Sequence, residues 1–323
     1  MSSTPTPSRR VVAISGGIGG AKLALGLYRL LPPNSLSVIV NTGDDFSHLG
    51  LKISPDVDTT LYTLAGLANQ ELGWGRHDES WNFMAVLEEL GSETWFRLGD
   101  RDLALHVERT RRLAAGESLS GIMRRVARRL GIEAEILPMS DQPVATMVDS
   151  DEGVLPFQDY FVRRRCAPRI TGIRFDGART AQMQAEARAL IASPETEAII
   201  LCPSNPYLSI DPILAVPGFR EALHAAPAPV IAVTPIVGGA AVKGPTAKIM
   251  NELGIEVSPR TVAAHYAEFI DGFLLDRRDE ALAGTFATAI GITDTLMTTL
   301  DDKLRVAEAS LVLAGKLAHK RGR

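Results

Sequence analysis

Cysteine, aromatic residues and long apolar runs are all scarce in this 323-residue chain, which has two cysteines and 6% aromatics. Cys166 and Cys202 are too few for a disulfide framework or a four-ligand zinc site. Cys202 closes the apolar run Ala198-Ile-Ile-Leu-Cys202 and reads as a small buried hydrophobe. No run of about 18 apolar residues occurs, so no membrane-spanning helix is expected. A basic excess is also missing. The 34 Lys+Arg stand against 38 Asp+Glu, a formal net charge of −4, which argues against a general nucleic-acid binder. There is no His-Glu-x-x-His, no nucleophile-elbow serine and no Walker A loop. The six histidines are scattered, and none has neighbours that mark it as a catalytic base. The first ten residues are polar with no apolar stretch behind their charges, so they read as a frayed tail rather than a signal peptide, and the protein is expected to be cytoplasmic.

What is present is an ordinary globular composition, 46% hydrophobic and 22% charged, which excludes disorder, collagen-like repeats and a coiled coil. Short β-branched runs alternate with stretches of helical period. Val11–Ile14, Leu36–Val40, Glu135–Pro138, Val144–Val148, Phe157–Val162, Ala198–Cys202, Pro229–Val233 and Gly272–Leu275 read as strands. Helices are expected near Ala21–Leu31, 58–72, 79–90, 103–114, 118–130, 182–192, 246–253, 261–269 and 302–319. Strands of about five residues separated by helices predict an α/β fold, a doubly wound, mostly parallel, Rossmann-like sheet covered on both faces. The helix-rich stretch from about 58 to 130 is long for one crossover and reads as a helical insertion in a single domain spanning 11–323. In the last helix, Leu304, Ala307, Leu311 and Ala314 form an apolar stripe, which is either core or the face of an expected homodimer.

Doubly wound sheets bind ligands beyond the carboxyl ends of their strands, so the strand ends carry the functional reading. The first is Ile14-Ser-Gly-Gly-Ile-Gly-Gly-Ala-Lys22. Its glycines allow a tight turn and close approach to a phosphate, and the helix behind offers free N–H groups and the positive end of its dipole. Lys22 adds a charge to this loop. It fits neither Walker A nor a full Gly-x-Gly-x-x-Gly pattern, and a simple strand-to-helix turn remains open. The second strand ends in Asn41-Thr-Gly-Asp-Asp45. Two adjacent acids suit a hard cation such as Mg²⁺, a ribose contact or a solvated turn. Asp56 and Asp58 precede a helical stretch. One serves as N-cap, leaving the other for ligand or metal.

Arg97-Leu-Gly-Asp-Arg-Asp102 packs four charges around a glycine. Arg97 and Arg101 suit forked hydrogen bonds to phosphate or a polar ring edge, and Trp95 and Phe96 suit either a flat ligand or the core. The arginines between 109 and 129 alternate with apolar residues and read as solvated helix faces. Ser204 and Asn205 offer hydroxyl and amide groups at a later strand end. In Thr234–Lys248, Lys243 is placed toward phosphate and Lys248 toward solvent. So many polar strand ends imply one large ligand or two side by side. With no covalent nucleophile in evidence, the chemistry expected is positioning and charge stabilisation of phosphoryl transfer.

Taken in order, these segments resemble a known family. Ser15-Gly-Gly-Ile-Gly-Gly-Ala-Lys22, Val40-Asn-Thr-Gly-Asp-Asp45, Ile53-Ser-Pro-Asp-Val-Asp-Thr59, Leu98-Gly-Asp-Arg-Asp102, Leu137-Pro-Met-Ser-Asp-Gln-Pro-Val144, Phe157-Gln-Asp-Tyr160, Pro203-Ser-Asn-Pro206, Gly244-Pro-Thr-Ala-Lys248 and Asp294-Thr-Leu-Met297 are similar to motifs of the 2-phospho-L-lactate transferases of coenzyme F420 biosynthesis, described in bacteria as phosphoenolpyruvate transferases. The resemblance runs from about residue 11 to 312. It implies a guanosine-diphospho donor carrying a phosphorylated three-carbon acid, the deazaflavin alcohol Fo as acceptor, GMP as leaving group and Mg²⁺ as cofactor. By the same resemblance Asp58 and Arg97 match Fo-contacting positions, although the family often has Lys in place of Arg97. Asp44 and Asp45 are then the candidate metal ligands, with Asp58 shared or orienting the attacking hydroxyl. Asp45 and Asp58 are the candidate catalytic residues, and Gly16, Gly17, Gly19, Lys22, Ser204 and Asn205 the further substrate contacts. The alternative is the related nucleotide-sugar-binding regulatory family linked to carbon metabolism and cell shape, which shares the Gly-rich start. Met139–Val144 and Phe157–Tyr160 match the transferases.

Overall fold

The chain is described here by a computed structural model covering residues 10–69, 74–242 and 244–320, so the expected tail up to Ser8 and Arg9, and Lys243, lie outside the described residues. The seven strands of the central sheet are β1 (Arg10–Ser15), β2 (Leu36–Val40), β3 (Glu135–Pro138), β4 (Thr196–Leu201), β5 (Val230–Val233), β6 (Gly272–Asp276) and β7 (Ala289–Thr293). They lie in the order β7-β6-β5-β4-β1-β2-β3, and every neighbouring pair is parallel. This is the doubly wound sheet expected from the alternation of short apolar runs and helices. The pleat shows why those runs are apolar throughout: Val12 and Ile14 of β1 enter one hydrophobic core, Val11 and Ala13 the core on the opposite face.

From β1 the chain winds outward through β2 to β3, then returns to β4 on the other side of β1 and winds outward to β7. The reversal between β1 and β4 opens a crevice at their carboxyl ends. The crossover from β2 to β3 holds α2 (Pro55–Leu64), α3 (Asn82–Glu89), α4 (Asp100–Ala114) and α5 (Leu119–Arg129), following α1 (Gly17–Leu30) after β1. The helix expected over 58–72 stops early, because Gly66 turns the chain with φ +72; residues 70–72 lie outside the described residues.

One expectation is corrected, one strand has little sequence signal and one open choice is narrowed. Phe157–Val162 is not a strand: Asp159–Arg163 forms one π-helical turn, with Arg164 N–H donating to the Asp159 carbonyl at 2.8 Å. Phe157 and Tyr160, three apart, are both buried, a helical spacing that alternation cannot supply. A three-stranded antiparallel sheet, Ala145–Ser150 with Gly153–Pro156 and Ile170–Asp176, flanks that turn. Strand β7 was missed, since Ala289–Thr293 is a half-exposed edge strand with little apolar signal. Finally, the stripe on the last helix, Leu300–Lys320, is partly core: Ala307 and Ala314 are buried and Leu304 and Leu311 half-buried, and a Cβ on Gly26 of α1 would stand 3.3 Å from the Ala307 methyl.

Candidate active site

At the switch point the first helix and the loop after β4 touch. Gly16 N–H donates to Ser204 Oγ at 3.1 Å. The approach is so close that a Cβ on Gly19 would lie 2.4 Å from the Pro203 carbonyl oxygen, and Gly17 takes φ +65, which L side chains avoid. Glycine is therefore required here by packing alone. The start of α1 carries no acid in its own first turn, but Asp56 from α2 meets the Gly17 N–H and Ser204 the Gly16 N–H, which is the kind of oxygen partner a helix start attracts.

Lys22 does not add its charge to that loop: its ammonium donates to the Met297 carbonyl at 2.8 Å. Ser204 accepts from Gly16, and Asn205 caps the following turn by accepting from Tyr207 and Leu208 N–H at 3.0 and 3.1 Å, with its own Nδ2 buried and without a hydrogen-bond partner. Lys248 does not face solvent. It donates to Tyr160 Oη at 3.3 Å, to the Pro168 carbonyl at 2.9 Å and to Glu252 at 2.8 Å, pinning the small sheet to the domain.

Beyond β2, three acids gather under the Gly-rich loop. The buried Asn41 amide donates to Asp44 Oδ1 at 3.1 Å and to Asp56 Oδ2 at 2.9 Å, while its oxygen accepts from Gly43 N–H at 2.7 Å. Asp45 accepts from Ser54 Oγ at 2.7 Å and keeps Oδ1 buried without a partner. Burial, then the neighbouring Asp56 charge, pushes Asp44 well above the usual carboxylate range. Burial does the same to Asp45 against the pull of Ser54 and Arg109. Asp56 is pushed up to about 6 by burial, although Asn41 and the Gly17 N–H favour its charge. Sequence reasoning offered Asp56 or Asp58 as a helix cap. The structure instead seats both deep in the protein, Asp56 at 6% and Asp58 at 5% exposure.

Asp58 belongs to a second network, close enough that its charge and that of Arg109 are felt at Asp45. Arg109 grips both its oxygens, Nη1 to Oδ2 at 3.0 Å and Nη2 to Oδ1, and also donates to the Lys52 carbonyl at 3.2 Å. The His106 ring stands between two carboxylates, with Nδ1 3.7 Å from Asp58 Oδ2 and Nε2 3.1 Å from Asp102 Oδ2. Tyr62 Oη donates to Asp102 Oδ1 at 2.5 Å. Burial raises Asp58 against the opposing charges of Arg109 and His106. Burial also acts on Asp102, but the adjacent His106 ring and the Tyr62 hydroxyl overcome it and hold that carboxyl below its usual range.

Two expectations fall here. Arg109 is no solvated arginine but is fully buried, and His106, set aside by sequence, is at the centre of the network. The signal was present as Asp102, His106 and Arg109, spaced four and three apart on one helix face. Among the described residues, Asp58, Asp102 and His106 form the one group of three potential metal ligands whose donor atoms lie within 4.8 Å of one another. Arg109 already supplies the positive charge there. The expected metal ligands Asp44 and Asp45 are both drawn in beside Asp56, each through its own partner. Asp44 is joined through Asn41 to Asp56, and Asp45 to Ser54.

Arg97 lies in the insertion, exposed, with its guanidinium carbon 4.1 Å from the centre of the Trp81 ring. Trp95 and Phe96 pack with Phe46 and His48; Phe46 meets Phe96 edge-on at 4.8 Å and His48 meets Trp95 at 5.0 Å. The Leu98–Asp102 turn is braced from both sides. Asp100 accepts from Ser80 Oγ at 2.6 Å and from Asn82 and Phe83 N–H at 3.1 Å, capping α3, while Glu79 accepts from Arg101 and Asp102 N–H at 2.7 and 2.9 Å, capping α4. Trp74, Arg76, Trp81 and Asp102 line a small cavity between them.

A doubly wound sheet with a Gly-rich helix start and buried acids at its switch point defines a class of α/β proteins that handle phosphorylated ligands. A profile of the family described as 2-phospho-L-lactate transferase CofD matches residues 11–305. The chain is 42% identical over 320 residues to a phosphoenolpyruvate transferase of Kitasatospora aureofaciens, covering 96% of this chain and 99% of the relative. It is 38% identical over 301 residues to a 2-phospho-L-lactate transferase of Methanosarcina mazei, covering 92% and 98%. The chain therefore belongs to the 2-phospho-L-lactate transferase CofD family, and it is a transferase. In fold it is similar to a crystal structure of a UPF0052 family protein from Bacillus halodurans, with a TM-score of 0.61 at 15% identity, covering 94% of this chain and 99% of that one.

Proposed function

We propose that the protein transfers a phosphorylated three-carbon acid from a guanosine-diphospho donor to the deazaflavin alcohol Fo in coenzyme F420 biosynthesis. The observation that carries the reading is the meeting, at the β1/β4 switch point, of a Gly-rich helix start with three buried acids, in a chain of this family. The donor's diphosphate lies at the N–H groups of the first turn of α1, near Ser204 and Asn205, whose free Nδ2 suits an oxygen acceptor. The ribityl hydroxyl oxygen forms a bond to the phosphorus bearing the three-carbon acid. The bond from that phosphorus to the bridging oxygen breaks, and GMP leaves.

The residues fit a hard divalent cation: Asp45 keeps a buried oxygen without a partner, and Asp44 and Asp56 are acids that burial holds reluctant to ionise. Asp44 and Asp45, with Asp56 beside them, would hold Mg²⁺, whose charge would offset that of the diphosphate. The role of Asp58 follows from its grip by Arg109. Its carboxylate is held in one orientation to accept a hydrogen bond from the attacking hydroxyl, and a loose phosphoryl-transfer transition state asks for little early deprotonation. Arg97 donates to the edge of the acceptor ring. The same reading takes the protein as a cytoplasmic homodimer. Among the described residues no helix is long and apolar enough to cross a membrane.

The test is mass spectrometry of products after incubation with Fo, GTP, Mg²⁺, a donor-forming partner enzyme and, in turn, phosphoenolpyruvate, 2-phospholactate or 3-phosphoglycerate. An Fo adduct heavier by one of these moieties, together with GMP, is expected. Binding of a uridine-diphospho sugar with no response to Fo would instead establish the regulatory alternative.

A further inference from the structure

We infer that Trp81 is a positioning residue for acceptor binding, acting through Arg97; the inference rests on the reading that Arg97 meets the acceptor. Among the described residues Arg97 makes no ion pair or hydrogen bond, so the face of Trp81 at 4.1 Å is what orients its guanidinium. A guanidinium held over a ring face needs no N–H for that contact and keeps those groups for outward donation. An exposed arginine without a partner would otherwise sample many rotamers and lose that freedom when a ligand is bound. The stack removes part of that loss in advance.

Trp81 is itself well held. It precedes α3, and its carbonyl accepts from Ala85 N–H at 3.0 Å. The N–H groups of the next two residues, Asn82 and Phe83, donate to Asp100 at 3.1 Å. The Trp74 ring meets the Trp81 ring at 6.3 Å in a T-shaped contact. Trp81 and Asp102 line one small cavity, and Asp102 leads through His106 to Asp58. The stacked guanidinium is thus attached to the same braced turn as the network behind Asp58. The ligand chemistry this favours is a planar, polar-edged ring with a carbonyl or ring nitrogen to accept from Arg97.

The experiment is a double-mutant cycle on the full chain, read by titration with Fo and by the KM and kcat for Fo, with melting curves for every variant. Trp81→Ala and Arg97→Ala are each expected to weaken Fo binding about three- to ten-fold, the range of a stacked cation. Trp81→Ala added to Arg97→Ala should weaken it no further. Trp81→Phe, which keeps a ring face, should stay within about two-fold of wild type, and the KM for the donor should hold throughout. If Trp81→Ala fails to fold, Trp81→Leu carries the test: it fills the space without a ring face and should weaken Fo binding by a similar factor. The inference is overturned if Trp81→Ala binds Fo like wild type, if it weakens binding equally with and without Arg97, or if the donor KM rises in parallel. Arg97→Ala that binds Fo like wild type removes Arg97 from the acceptor and overturns the inference as well. Wild-type protein that shows no Fo binding at all strikes the acceptor reading itself.

Discussion

Arg109 and Asp58 are joined through both carboxylate oxygens inside the protein, the arginine with no exposed surface and the aspartate 5% exposed. A buried pair of this kind gives little net stability compared with apolar residues of the same shape, yet is expensive to break. Arg109→Met is therefore expected to lose about 3–5 kcal/mol of unfolding free energy by leaving Asp58 buried with only the His106 ring beside it. The double variant Asp58→Leu/Arg109→Met should recover much of that loss while remaining inactive. Urea unfolding of the three proteins checks both statements, and a loss below about 1 kcal/mol for Arg109→Met would show the pair to be incidental.

The acids at the switch point predict a pH dependence. Asp56 is raised from 3.8 to about 6, so its proton is held more tightly in the folded protein than in the unfolded chain. A raised carboxyl favours the fold at low pH, and that contribution is lost as pH climbs from near 4 to near 6. In chelator, Asp56→Asn should thus gain stability relative to wild type across this window, and the difference should be flat above it. Melting temperatures at half-unit pH steps measure it. A difference that shrinks with rising pH would mean that Asp56 is charged and satisfied in the fold.

Removal of metal gives the third expectation. Chelator should abolish transfer, and Mg²⁺ should restore it. Added Mg²⁺ should also raise the melting temperature more at pH 7 than at pH 5, because carboxylates must ionise to ligate. Full turnover in chelator would remove the cation from the reading.

Glycine requirements are testable site by site. Gly19→Ala places a methyl 2.4 Å from the Pro203 carbonyl, a backbone atom that cannot step aside, and should destabilise by about 1–3 kcal/mol and open the α1/β4 junction. Gly315→Ala, in the middle of the last helix with nothing within 4 Å of the new methyl, should stabilise by about 0.5–1 kcal/mol. Thermal unfolding of the two variants should shift in opposite directions.

Most of the sheet could be read from the sequence because its strands are short, apolar on both faces and bounded by Gly or polar turns. Leu36–Val40 and Glu135–Pro138 coincide with β2 and β3 residue for residue. The Gly-rich loop and the acids after β2 were legible for the same local reason: they sit at strand ends. What was not legible depended on partners distant in sequence. Arg109 looks like any helix-surface arginine until Asp58, 51 residues earlier, is placed opposite it. Lys22 looks like a phosphate ligand until Met297, 275 residues later, offers a carbonyl. Lys248 is drawn inward by Tyr160 and the Pro168 carbonyl, neither of which local charge patterning reveals.

Glu79 and Asp100 stand on opposite sides of one turn, and each closes the start of the helix that begins near the other. The two helices are therefore cross-braced like the members of a truss. Neither α3 nor α4 can slide without breaking the other's first turn, so the wall that carries Arg97 should swing, if it moves, as one rigid panel rather than by fraying at its edge.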